Sequence, residues 1–208
     1  YRWSKIGVGS KLLTRTEYSF GECYGKIDAV IQRAIELGID RPIICDTTTF
    51  GHIPFGVAAR RFNLRPIYGA EVRIGDERNA VRVLARNNHG LSELYRCIGG
   101  VNIGHEFSDN VVVLTYTSAD HSFRATHTFV DLIAENSIFN HCRKNLCSLF
   151  PVVGVSDVRY PTPQDRVYAE LLGVRLNSIS QHWRAADEIA RDVPQSDWPA
   201  VLQLCGDV

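Results

Sequence analysis

Three carboxylates stand where short apolar runs end. Asp46 follows Pro42-Ile43-Ile44-Cys45, Glu71 lies within PIYGAEVRI (66–74), and Asp157 follows PVVGVS (151–156). Three separate strands would thus deliver three carboxylates to one rim, where functional groups of α/β folds collect. Taken singly, each is a helix cap or a loop acid; the residues alone leave both readings open. Other chemical constellations are weaker. His141, Cys142 and Cys147 are close in sequence but match no zinc spacing. The six cysteines contain no C-x-x-C pair and read as reduced, buried thiols. The glycines of GVGSK (7–11) do not supply the GxxxxGK[ST] of a phosphate loop.

The elements that must position these acids follow from periodicity. Residues 26–37 place Ile27, Val30, Ile31, Ala34, Ile35 and Leu37 on one stripe, which predicts a helix stopped by Gly38. A second helix is expected over 54–63, with Pro54 near its start, a third over 90–99 and a fourth over 164–176. Two terminal helices, 182–192 and 197–204, are split by Val193-Pro194. Between them, 12–19 reads as a short strand and loop, and 42–45, 66–74, 80–85, 110–115 and 151–155 as strands. Short apolar strands alternating with amphipathic helices predict an α/β fold with a largely parallel sheet, and in such folds functional groups collect at the carboxyl ends of the strands.

Composition bounds the function. Of 208 residues 45% are hydrophobic and 22% charged, which is globular composition and a length suited to one domain, 1–208. Lys plus Arg and Asp plus Glu both number 23, so the formal net charge is zero; a chain without basic excess is a poor candidate for gripping nucleic acid by itself. No apolar run approaches the ~20 residues of a membrane span. The chain contains no Met and starts at Tyr1, so it is expected to be a trimmed fragment with residues left out internally.

The order of segments resembles the PHP (polymerase and histidinol phosphatase) domain, and more closely the version at the amino end of the bacterial DNA polymerase III alpha subunit. LLTRTEYSFGE (12–22) stands where that family has L-H-x-H-[ST]-x-Y-S, and LGIDRPIICDTTTFGHIPF (37–55) matches its helix, strand and T-D-H-G turn. NLRPIYGAEVRI (63–74), VRVLARNNHGLSELYRCI (81–98), VVVLT (111–115), HTFVDLI (127–133) and PVVGVSDVRYPTPQD (151–165) follow in family order. AADEIARDVPQSDWPAVLQLC (185–205) matches the helices that close the domain. The resemblance runs from about Leu12 to Val208 and implies a distorted (βα)7 barrel with a metal cleft at the carboxyl ends of its strands. It also implies a cytoplasmic replication protein. The segment between Thr115 and His127 is short for the family.

Read position by position, the family's ligand set has eroded. Its first His pair falls on Leu13 and Arg15, its D-H turn on Asp46 and Thr47, and its strand acid on Glu71. A later His falls near Ala80, the next ligand position on Tyr116, and the final D-x-H on Asp157 and Arg159. Active members hold divalent metals that activate water and polarise a phosphate ester. Here three acids remain and two ligand positions are Arg, a permanent cation. The resemblance thus implies a retired metal site in which Arg15 and Arg159 pair with Asp46, Glu71 or Asp157, no cofactor, and no catalysis. The alternative is zinc, manganese or iron on Asp46, Glu71 and Asp157, with His52 as a replacement ligand, giving a metal-dependent phosphoesterase or 3′–5′ exonuclease; a free-standing degenerate PHP protein is a third reading. The implied partners are the polymerase body of the same chain and the proofreading exonuclease subunit, with DNA reached only through the full polymerase. Trp3, Trp183 and Trp198 are either docking anchors or edge-of-core packing.

Overall fold

A computed structural model describes residues 13–74, 80–100, 106–115, 123–133, 147, 149–156, 158–174, 176, 181–184, 189, 191–193 and 196–205. Among them run β1 (Leu13–Thr14), α1 (Ile27–Glu36), β2 (Ile43–Asp46), α2 (His52–Arg61), β3 (Ile67–Arg73), β4 (Ala80–Ala85), α3 (Asn88–Ile98), β5 (Val111–Thr115), β6 (Thr128–Ile133), β7 (Val152–Val155), a 3-10 turn (Pro163–Asp165), α4 (Arg166–Leu171) and α5 (Trp198–Leu204). The seven strands form one sheet in sequence order. Neighbours are parallel except β3–β4 and β4–β5, so β4 alone runs backwards. A bridge between Thr14 and Val158 brings the two edges together, and the sheet nearly closes into a barrel, which satisfies its edges. Strict strand–helix alternation is interrupted at β3–β4, where six residues (74–79) are too few for a crossover helix and an antiparallel pair forms instead.

Local chemistry explains the helices. The apolar stripe of α1 buries Ile27, Val30, Ile31 and Ala34, and Gly38 ends it at a positive φ of 67°. Asn87 caps α3, its side chain accepting from the Gly90 amide at 3.0 Å. The helix expected over 164–176 is shorter, because Gly173 (φ 73°) turns the chain after α4. The helix expected from 182 does not begin there. Residues 181–184 run extended, Arg159 donates to the Gln181 carbonyl at 2.7 Å, and Tyr160 bridges His182; helical backbone is described only at 189, 191 and 192.

Side chains sort by the period of two. Leu13, Ile43, Cys45, Ile67, Leu84, Val112, Leu114, Phe129, Val153 and Val155 fill the barrel. Ile44, Tyr68 and Val158 face outward beneath α1 and α2. One end of the barrel is plugged by α5, with Trp198, Val201 and Cys205 packed inside it and the Trp198 indole N–H donating to the Gly154 carbonyl at 2.6 Å. Arg41 donates to the carbonyls of Leu202 (2.9 Å) and Cys205 (2.7 Å), and Arg86 to that of Leu204 (3.0 Å), which satisfies the orphan carbonyls at the end of α5. The opposite end is the mouth. None of the helices among the described residues is long and apolar enough to cross a membrane.

Candidate functional site

The mouth is lined by charge that is already paired. Arg15, one residue past β1 and 7% exposed, donates from Nη2 to Glu71 Oε2 at 2.6 Å. Its Nη1 donates to the Glu22 carboxylate. Arg159 reaches the same Glu22, at 3.0 Å to the carbonyl and 3.2 Å to Oε2. Glu71, Arg15, Glu22 and Arg159 thus form an alternating chain of anions and cations that runs from β3 across the seam of the barrel. The seam is further tied by the Tyr24 amide, which donates to the Arg159 carbonyl at 2.7 Å.

A second buried pair lies one layer above the apolar filling. Arg82 stands opposite Glu71 in the β3–β4 register and donates to the Asp131 carboxylate, whose residue is 0% exposed. Both residues share the inward parity of Leu84 and Phe129, their neighbours two positions along the same strands. Sequence reasoning passed over Glu22, Arg82 and Asp131. The signal for the last two was present: a charge in the middle of AVRVLA and of TFVDLI sits in a buried strand, and a buried charge requires a partner.

Asp46 occupies a different environment. It ends β2 with the parity of the outward Ile44, whereas Glu71 has that of the inward Ile67, so the two acids do not share a face. Asp46 is fully buried and accepts from the Thr16 amide (2.6 Å), Thr16 Oγ1 (2.6 Å) and Ser19 Oγ (2.7 Å). Burial raises its carboxyl above the usual carboxylate range, and the Ser19 and Thr16 hydrogen bonds offset part of that rise. A Cβ on Gly51 would lie 2.9 Å from Asp46 Oδ2, so a glycine lets α2 start this close. Cys45, inside the barrel, is pushed up by burial to about 12 and is no nucleophile.

Other expected residues are dispersed. His52 is not at the mouth: it is 1% exposed, its ring tilted against those of Tyr68 (centroids 5.3 Å apart) and Tyr95 (5.6 Å), with Nε2 3.0 Å from the Gly69 carbonyl. Trp183 (1% exposed) and Trp198 (5%) are core residues and offer no docking anchor. Cys147 packs with Phe150 against the Val130 and Val152 cluster. Asp157, Tyr116, Trp3, His141, Cys142 and the GVGSK segment lie outside the described residues.

The model of the PHP domain matches residues 12–123, more than half of the chain. The chain belongs to the PHP domain family. No curated protein matches it. Among solved structures it is similar to a proposed metal-dependent phosphoesterase from Bifidobacterium adolescentis, at 11% identity over 91% of this chain and 97% of that one, with a TM-score of 0.36. A superposition at that level does not bear on function.

PHP membership raises the question of whether this mouth suits the divalent metals that the family's ligand pattern implies. The described residues do not suit them. Glu71 and Glu22 are held by Arg15, Asp131 by Arg82, and both oxygens of Asp46 by Thr16 and Ser19. No grouping of three His, Cys, Asp or Glu that could hold an ion occurs among the described residues. A guanidinium fixed at a ligand position supplies positive charge of its own and repels a dication.

Proposed function

We propose that this PHP domain is of the type found at the amino end of bacterial DNA polymerase III alpha subunits, and that it serves there as scaffold, not as hydrolase. In this reading it packs against the polymerase body and docks the proofreading exonuclease subunit. The observation that carries the non-catalytic part is the ion chain Glu71–Arg15–Glu22–Arg159, which occupies the mouth with the protein's own cations. The motif order from Leu12 to Val208 and the zero net charge support the rest, since a neutral module suits protein docking better than phosphate gripping. Two assays test it. Hydrolysis of a phosphomonoester and of single-stranded DNA is measured with added manganese, and the purified chain is mixed with the exonuclease subunit in sedimentation. Binding without hydrolysis is expected; manganese-dependent hydrolysis abolished by Asp46→Asn would refute the scaffold reading.

A further inference from the structure

The outer side of α2 leaves large apolar side chains in solvent. Ile53 is 78% exposed and Val57 47%, and Phe50, just ahead of the helix, is 71% exposed. The inner side of the same helix buries Phe55, Ala58 and Ala59. The helix is thus apolar on both sides, where a surface helix is ordinarily polar on its outer face. We infer that the outer stripe docks an amphipathic helix of a second protein, apolar along the contact and carrying a carboxylate at the end that meets Arg61. The inference rests on the docking role proposed above and names a surface for it.

The shape suits a helix. Phe50, Ile53, Val57 and Arg61 recur at spacings of three, four and four, which lines them up along one side of α2. A groove lies on either side of this ridge. One, of about 270 Å³, lies toward α3 and is lined by Ile53, Val57, Leu91 and Tyr95 among others. The other, of about 260 Å³, lies toward α1, with Tyr18, Ile27, Pro54 and Val57 in its lining. A ridge between two grooves is the relief that a facing helix packs against.

Charge and area select the partner. The segment His52–Arg61 contains no acidic residue. Arg61 is exposed, and its side chain has no hydrogen bond or ion pair among the described residues. Glu17 and Asp28 share the groove of Arg61 without bonding to it, and Lys26 stands there with them. A carboxylate from outside would complete the end of the stripe. A second copy of this stripe laid against the first brings no acid of α2 to Arg61. With Tyr95, the three apolar residues leave on the order of 400 Å² open, about half of what each partner gives to a stable interface between globular chains; a single helix covers that footprint.

The probe is a designed helical peptide of about 15 residues, with Leu on an i, i+3, i+7 stripe and Glu one turn beyond; its twin carries Lys in place of that Glu. Each is titrated against the full chain by fluorescence anisotropy at low salt. The Glu peptide is expected to bind at about 10–100 μM and about fivefold more tightly than the Lys twin. Arg61→Glu should reverse that preference, and Ile53→Ser should weaken both peptides at least about tenfold. Both positions are exposed, so both variants keep the melting temperature of the native chain. No binding of either peptide, equal binding of the two, an unchanged preference in Arg61→Glu, or full affinity in Ile53→Ser overturns the inference. Self-association of the chain that Ile53→Ser abolishes also overturns it, since the occupant is then a second copy. Any of these results leaves the sedimentation assay with the exonuclease subunit to decide the docking role separately.

Discussion

Removing the guanidinium of Arg15 leaves two carboxylates facing each other without their cation. Glu71 has a side chain 16% exposed and stands 2.6 Å from Nη2, while the Glu22 side chain is 39% exposed. Breaking a fully buried pair costs about 3–5 kcal/mol, because the remaining charge is left desolvated. Glu71 keeps some water, and Glu22 is open enough that its share falls to about 1 kcal/mol or less. Arg15→Met is therefore expected to cost about 2–4 kcal/mol. At roughly 2–4 °C per kcal/mol for a chain of this length, the melting temperature drops by about 5–15 °C. Urea unfolding should show the same loss as a lowered midpoint at unchanged slope. The double variant Arg15→Met/Glu71→Gln removes the stranded charge too and should recover about 1–2 kcal/mol relative to Arg15→Met alone. A loss below about 0.5 kcal/mol in the single variant, or a double variant as unstable as the sum of the two singles, would refute the reasoning.

Three further outcomes are expected. A Cβ on Gly90 would lie 2.0 Å from the Asn110 carbonyl oxygen, a backbone atom that cannot turn aside, so Gly90→Ala should cost at least about 3 kcal/mol in urea unfolding. Arg41→Met strips donors from the carbonyls of Leu202 and Cys205 and should loosen α5 by about 2–4 kcal/mol, read as faster amide exchange around Trp198. His127 Nε2 lies 2.7 Å from Arg86 Nη1, and burial together with that cation holds the imidazole below its ordinary 6.5. Its folded value is depressed, so its contribution is whole above the unfolded value and is lost as pH falls through the folded one. The urea midpoint should drop between pH 7 and pH 5 more steeply in the native chain than in His127→Gln.

What the sequence made legible was local. The stripe of α1 and its Gly38 stop and the apolar runs that became β2, β3 and β5 all depend on residues within a few positions of one another. Residues 182–192 carry a helix-like pattern, yet 181–184 are drawn out by backbone bonds to Arg159 and Tyr160, partners some twenty residues away; tertiary pairing overrides propensity there. Parity decided what motif matching did not. Asp46 and Glu71 lie on neighbouring strands, but one faces out and the other in, so a shared rim does not make a shared site. The acid that joins Arg15 to Arg159 is Glu22, a loop residue, and nothing in TEYSFGE marks it until the seam of the barrel closes over it.

In the proposed scaffold reading, arginine fills the PHP mouth where a metal would stand. Metal analysis tests it most directly: the purified chain is incubated with zinc, manganese and iron(II), exhaustively dialysed, and its metal content measured. Well under one ion per chain and no change in melting temperature with chelator are expected. One or more ions per chain, lost in Glu71→Gln, would contradict it.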